Sequence, residues 1–181
     1  MNWKHWIPLL GLSLAGCGGA SKAPLELVDA VDLARYQGTW YEIAKLPNRF
    51  QDQCVAGTRA EYTLLDDGRV EVINRCRLAS GATEEVRGRA RRPDPDRPAA
   101  LEVRFAPAWL SWLPMVWGDY QVMALDRGYR WALVGEPSRK FLWILSRTRG
   151  LPRARIDELL AEARRQGFPV DRIDFTPQDD E

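Results

Sequence analysis

Histidine is almost absent from this sequence of 181 residues, which contains His5 and no other. His5 lies in a stretch that we predict below to be an export signal, so the mature chain would contain no imidazole. Without imidazole, Ser-His or Cys-His nucleophilic catalysis, histidine ligation of haem and histidine-rich zinc sites are excluded. We expect no catalytic residues, no metal and no cofactor.

An excess of charge of one sign is also missing, because 26 basic residues stand against 25 acidic ones and the net charge is +1. This balance gives no sign of a nucleic-acid-binding surface, so we expect no nucleic-acid partner. Hydrophobic residues make up 45% of the chain, which is enough for the core of one folded domain and too many for a disordered chain.

The N-terminal apolar run, Trp6 to Leu14, is too short to cross a bilayer as a helix, which takes roughly 20 residues. The run follows Lys4 and suits a secretory signal. The tetrapeptide Leu14-Ala15-Gly16-Cys17 resembles the bacterial lipobox, in which a signal peptidase cuts before a cysteine that carries a diacylglyceryl group. We therefore predict a signal peptide over residues 1–16 and a lipidated Cys17.

The residues after Cys17 indicate which membrane the anchor would occupy. Gly18 stands where an aspartate would favour retention in the inner membrane. The resemblance therefore implies the outer membrane of a Gram-negative bacterium, with the protein on its periplasmic face. A lipoprotein's several acyl chains anchor stably, whereas one chain holds only marginally. Residues 17–30 would form a lipidated tether before a domain over residues 31–181.

Export makes the other two cysteines, Cys54 and Cys76, candidates for a disulfide. Alternating residues at 56–65 and 69–78, separated by the Asp-Asp-Gly turn at 66–68, predict a β-hairpin. Folding the two arms about this turn brings the cysteines close together on or near one face. We predict a disulfide that stabilises the fold by roughly 3 kcal/mol; two free thiols are the alternative.

Eight strand-like stretches with short links make up the middle of the chain. Regular short strands with hairpin-length links suggest a sandwich or an up-and-down barrel rather than βαβ units. The stretches cover residues 38–46, 55–65, 69–78, 83–92, 99–106, 117–125, 130–135 and 140–147.

A helix is predicted after the last of these strands, which is apolar on both faces and needs a cover. Ile156, Leu159, Leu160 and Ala163 fall on one face of a helix, within a segment bounded by Pro152 and Gly167. Such a helix would lie on the outside of the sheet. Residues 171–176 have the pattern of a short final strand.

Three blocks of sequence resemble the motifs of the lipocalin family. They are GTWYEIA at 38–44, GDYQVMALD at 118–126 with Tyr129, and LSRT at 145–148. Three blocks in this order, with a helix after them, form a specific match, whereas a lone G-x-W would be weak. The runs W-Y-E-I-A and L-W-I-L-S-R-T and the lipobox are similar to those of the bacterial outer-membrane lipocalins.

The resemblance implies an all-β fold, an eight-stranded antiparallel up-and-down barrel (a calyx) over about 38–147. A C-terminal helix over about 153–166 would pack on its outside. Gly38, Trp40 and Arg147 belong to the structural motif. We expect Trp40 to plug the closed end and Arg147 to stack on its ring, a contact worth about 0.5–2 kcal/mol.

A barrel of eight strands is wide enough to hold one small molecule. The alternation places Leu64, Val86 and Leu101 inside, with most of the residues that we predict to contact a ligand. A pocket with such walls takes an apolar chain with one polar end; the alternative is that these side chains fill the barrel. The predicted ligand contacts are Glu42, Tyr62, Val72, Asn74, Phe105, Trp112, Tyr120, Val122 and Trp143.

Glu42 stands out in this set, because a carboxylate inside an apolar calyx is costly unless it is paired or solvated. It would meet a polar head group, or it would lie on the surface if the face assignment is wrong by one residue. The link at residues 107–117 stands out too, since it contains three tryptophans. Trp109 and Trp112 would form a lip that touches the membrane or guides a lipid inward; a packed lid and a dimer contact are the alternatives.

These observations together predict a lipid-anchored lipocalin that binds, and stores or transports, a fatty acid, lysophospholipid or similar ligand in envelope lipid maintenance. Its partners would be that small hydrophobic ligand and the membrane, reached through Cys17, and the chain would be a monomer or weak homodimer. Two alternatives remain. One is an envelope interaction protein that uses its Trp-rich loop and has a filled barrel. The other is an enzyme of the same fold, with chemistry resting on carboxylates, tyrosines or a thiol.

Overall fold

Eight antiparallel strands close into one barrel in the computed structural model, which describes residues 22–178. Each strand pairs with the next, and the first also pairs with the eighth, which completes the ring and confirms the predicted fold. The predicted signal peptide and Cys17 lie outside the described residues. The strands are β1 Gly38–Lys45, β2 Cys54–Leu64, β3 Val70–Leu78, β4 Thr83–Arg91, β5 Ala100–Arg104, β6 Gly118–Leu125, β7 Trp131–Gly135 and β8 Leu142–Ser146.

The two ends of the barrel differ in how they are covered. The closed end carries a short helix, α1 (Leu33–Tyr36), in which the N–H groups of Ala34 and Arg35 donate to the Asp32 carboxylate. The links at this end are residues 65–69, 92–99 and 126–130. The other end, which we call the open end, is bordered by the links at 46–53, 79–82, 105–117 and 136–141.

Trp40 plugs the closed end. Its ring is fully buried, and its Nε1 donates to the carbonyl oxygen of Tyr36 at 2.8 Å. The Arg147 guanidinium lies 4.0 Å from the centre of the Trp40 ring and donates to the backbone carbonyls of Thr39, Tyr129 and Arg35. One side chain therefore ties α1, β1 and the β6–β7 link together beneath the barrel.

A cluster of three tyrosines lies above Trp40 in the barrel interior. The Tyr36 ring stacks on Trp40 with 4.6 Å between centres, and the Tyr120 hydroxyl lies 2.8 Å from that of Tyr36 and 3.1 Å from that of Tyr62. Burial raises the pKa of Tyr62 to about 12 and holds the pKa values of Tyr36 and Tyr120 well above the ordinary value. All three hydroxyls are therefore neutral at physiological pH.

A second core lies outside the barrel, under the helix α2 (Arg153–Arg165). Ile156, Leu159 and Ala163 bury one face of α2 against the outer face of the sheet, as the spacing predicted. Each large apolar side chain buried here contributes about 1.5–3 kcal/mol. Within residues 22–178, no helix combines the length and the apolar composition needed to cross a membrane.

Both chain ends that the structure describes pack on the barrel wall. Strand β9 (Asp174–Phe175) pairs with the second half of β1, in the region where a final strand was expected. Residues 22–30, predicted as the last part of the tether, lie against the barrel, since Leu25 is buried and the Val28 N–H donates to the carbonyl oxygen of Val122.

The predicted disulfide between Cys54 and Cys76 is confirmed, with 5.5 Å between the two Cα atoms. Cys54 pairs with Leu78 in the β2–β3 ladder, so the register of the hairpin agrees with the strand pairing expected from the turn at 66–68. The bond joins the two strands at the open end.

Replacing Arg147 with lysine tests the closed-end plug. Lysine keeps the charge but loses the planar fork that stacks on Trp40 and reaches three carbonyls. We expect Arg147→Lys to lower the free energy of unfolding by about 2–4 kcal/mol, measured by urea titration. Arg127→Lys is the matched control, because Arg127 is exposed at the same end. Equal losses in the two variants would contradict this account of the plug.

The tyrosine cluster predicts a loss of stability at alkaline pH. Because the pKa of Tyr62 is about 12 in the fold and about 10 when unfolded, the unfolded chain releases this proton first. The stabilisation is complete below pH 10 and is lost as the pH rises towards 12, by roughly 1 kcal/mol per pH unit for each such group. Urea titrations across this range should show a shallower decline for Tyr62→Phe than for the wild type. Identical declines in Tyr62→Phe and wild type would be the contrary result.

Candidate functional site

The barrel encloses a cavity of about 750 Å³ that reaches from the open end to the tyrosine cluster. Small-molecule sites in proteins have volumes of roughly 300–1,000 Å³. The interior above the closed end is therefore not filled by side chains, so the alternative of a filled barrel does not hold.

Most of the predicted ligand contacts lie in the wall of this cavity. The alternation along each strand is the reason, because it turns every second side chain inward. Val86 and Leu101 line the cavity as well. The predicted contacts found in the wall are Glu42, Tyr62, Val72, Asn74, Phe105, Tyr120 and Trp143.

Val122 and Trp112 lie elsewhere. Val122 points inward but is fully buried in the core around Trp40, below the floor of the cavity. Leu64, also expected inside, packs against the same core. Trp112 lies in the link between β5 and β6 and is 75% exposed. Strand alternation assigns a face and not a depth, so it could not separate the floor from the cavity wall.

Glu42 lies inside the barrel and has partners from its own chain. Its carboxylate accepts hydrogen bonds from Gln51 Nε2 and Thr176 Oγ1, each at 2.6 Å, and the Lys45 ammonium lies 3.6 Å away. These contacts compensate the burial of the charge. They also fasten the first open-end link and the C-terminal segment to β1. Glu42 is thus not a surface residue, and its predicted contact with a ligand head group stays a prediction.

The base of the cavity offers one hydrogen-bond donor. Tyr36, Tyr62 and Tyr120 all line the cavity, and their three hydroxyls make two hydrogen bonds with one another. Each hydrogen bond uses one hydroxyl hydrogen. One of the three hydrogens is therefore left without an acceptor among the side chains and backbone of residues 22–178, on a group that faces the cavity.

Aromatic rings lead from the mouth of the cavity to its interior. Phe50 lies 5.8 Å from Phe141, which stacks parallel to Trp143 at 6.0 Å between ring centres. Trp143 Nε1 donates to Gln51 Oε1 at 3.1 Å. The sequence analysis missed Phe50, because it lies in a link, where no periodicity marks the inward side. It also left Phe141 out of the predicted contacts, although this residue lies two positions before Trp143 in the predicted strand 140–147.

The Trp-rich link between β5 and β6 forms one edge of the mouth. It contains two 3₁₀ turns, Ala108–Leu110 and Pro114–Val116. Trp109 is 73% exposed, as Trp112 is 75%, so neither packs as a lid over the opening. Met115 and Trp117 line the cavity at its rim.

Comparison with known proteins agrees with this architecture. A family model described as a lipocalin-like domain matches residues 31–178. Temperature-induced lipocalin-1 from Arabidopsis thaliana is 40% identical over 161 residues, which cover 88% of this chain and 86% of that protein. The outer membrane lipoprotein Blc of Escherichia coli K12 is 39% identical over 155 residues, covering 85% and 83%.

A solved structure, the allergen Per a 4 from cockroaches, superposes with a TM-score of 0.66 and 18% identity, covering 87% of this chain and 94% of that one. At this identity the likeness supports the fold alone. The family model spans most of the chain, and both named relatives are similar over more than four fifths of it. This chain belongs to the lipocalin family.

Proposed function

We propose that this protein binds a hydrophobic or amphiphilic small molecule, such as a fatty acid or a lysophospholipid, inside the barrel. The observation that carries the proposal is the open cavity of about 750 Å³ with largely apolar walls. Val72 and Leu101 from the strands, together with the aromatic rings below the mouth, would contact the apolar chain of the ligand.

The polar groups of the cavity restrict where the ligand's own polar groups can lie. The hydroxyls at the base are neutral, because burial raises their pKa values, and they offer one donor. A neutral acceptor fits this position, whereas a charged group there would lose its hydration. At the mouth, Arg49 and Gln53 line the cavity and are accessible to a charged head group.

The same proposal includes lipidation of Cys17, which would anchor the protein to the outer membrane and on its periplasmic face. The lipobox supports this location, as does the similarity to Blc, which is named an outer membrane lipoprotein. A tethered binding protein at this place would store or move membrane-derived lipids, as part of envelope lipid maintenance.

Binding accounts for the interior better than catalysis does. The Glu42 carboxylate is engaged by three side chains of its own chain, and Cys54 and Cys76 are joined in a disulfide. Glu42 and the two cysteines are therefore committed to structure.

A bulky side chain in the cavity wall tests the binding proposal. Val86 faces the cavity and is 41% exposed, so a tryptophan there would fill space without overpacking the core. We expect the wild type to bind one fluorescent fatty acid per chain and to release it when lysophospholipid is added. In Val86→Trp, the affinity for lysophospholipid measured by this displacement should fall at least about tenfold. Arg87→Trp, on the outer face of the same strand, is the matched control. Saturable binding that is equal in the two variants would place the ligand outside the barrel.

Intact-protein mass spectrometry of the membrane fraction tests the anchor. We expect the wild type to be heavier than residues 17–181 by its acyl groups, because the thiol of Cys17 is the atom that the diacylglyceryl group would modify. Cys17→Ser should lack this added mass and leave the outer-membrane fraction, while Ser21→Ala should behave as wild type. An unmodified wild-type Cys17 would refute the anchor without bearing on the cavity.

A further inference from the structure

We propose that the open end of the barrel docks on a lipid bilayer, so that the cavity opens directly onto the membrane. The proposal rests on the lipid-binding function proposed above and adds the surface and the orientation. Two independent observations carry it: the chemistry of the rim around the mouth, and the place where the chain enters the fold.

Exposed apolar side chains are concentrated at the open end. Two of the exposed large apolar residues that the structure describes lie elsewhere, because Val86 faces the cavity and Phe175 lies on the side wall. The other exposed ones surround the mouth or lie beside it. Soluble monomers rarely expose such clusters without an interaction partner. The exposed side chains at this end are Phe50, Val55, Phe105, Trp109, Trp112 and Met115.

The link at 105–117 has a composition and a backbone suited to leaving water. It contains no ionisable side chain. The N–H groups of Leu110, Ser111, Leu113, Val116 and Trp117 donate to carbonyls within the link, and its two prolines have no N–H. Because these five N–H groups are already paired, the cost of moving this part of the link into an apolar environment is lowered.

Contacts of Trp117 and Arg104 also fix the shape of the link, with Trp109 and Trp112 outward. Trp117 lies under the Arg91 guanidinium at 3.9 Å, and its Nε1 donates to the carbonyl oxygen of Ser111 at 2.9 Å. Arg104 is buried and donates to the carbonyls of Ala106 and Pro107. Trp109 and Trp112 are thereby presented to a surface at no further cost in ordering the backbone.

The entry of the chain into the fold lies at the same end. The Lys22 ammonium donates to the carbonyl oxygen of Ser138 at 2.7 Å, and Arg139 donates to that of Ala23, so both residues contact the open-end link at 136–141. Cys17 precedes Lys22 by five residues, which span at most roughly 18 Å. The closed end lies farther away, since the eight residues of β1 alone extend about 26 Å. Acyl chains on Cys17 would therefore hold the mouth close to the bilayer.

Several basic residues at the rim suit the surface of a membrane. Arg49, Lys140 and Lys22 are exposed there and carry the positive charge that phosphate head groups attract. Tryptophan itself favours the boundary between head groups and acyl chains. From this boundary the aromatic rings of Phe50, Phe141 and Trp143 lead into the cavity.

Vesicle partitioning tests the docking surface without its anchor. The sample is the mature chain, residues 17–181, carrying Cys17→Ser, and the vesicles contain phosphatidylethanolamine and phosphatidylglycerol with brominated acyl chains. We expect the bromine atoms to quench the tryptophan fluorescence of this protein when it binds. The double variant Trp109→Ser, Trp112→Ser should have a partition coefficient that is lower by at least about tenfold. Phe175→Ser, which removes an exposed aromatic ring from the side wall, should leave it unchanged.

Three results would overturn the docking proposal. One is a partition coefficient that the tryptophan substitutions do not change, and another is an equal loss in Phe175→Ser. The third is a dimer, seen by sedimentation, that the two tryptophan substitutions dissociate while partitioning stays unchanged. In that case the Trp-rich link would be a contact between two copies of the chain. The fatty-acid titration without vesicles is read separately, so docking can fail while binding in the cavity stands.

Discussion

The empty interior of this barrel depends on the plug that Trp40 and Arg147 form at its closed end. A ring of eight strands leaves a channel that must be closed at one end if a ligand is to be retained. Trp40 fills the cross-section, and the Arg147 guanidinium covers its outer face while holding three backbone carbonyls from separate segments. Because this end is packed and hydrogen-bonded, the space above Tyr36 can stay open.

An open cavity forgoes the contacts that a filled core would make. Apolar side chains are buried instead between α2 and the outside of the barrel. There Ile156 and Leu159 pack against the outward-facing Leu133 and Ile144. The strands β2 and β3 lie on the side that α2 does not cover. There the disulfide joins them directly at the mouth, so covalent and apolar contacts stabilise different parts of the wall.

The sequence predicted the features that follow a local period or a fixed spacing. Alternation located the eight strands, the helical period located α2, and the hairpin turn brought Cys54 opposite the end of β3. Features that depend on distant contacts were out of reach. The partners of Glu42 include Thr176, which is 134 residues away, and the depth of Val122 depends on where the plug ends and the cavity begins.

The polarity of the cavity and the proposed orientation of the barrel together limit where a charged head group can lie. The same burial that raises the pKa of Tyr62 to about 12 makes the base of the cavity unfavourable for any charge, including that of a ligand. A charged head group must therefore stay at the mouth. If the mouth lies at the surface of a bilayer, the head group keeps the same depth in the membrane and in the protein. Only the acyl chain then changes surroundings, from one apolar environment to another, and transfer avoids the cost of dehydrating a charge.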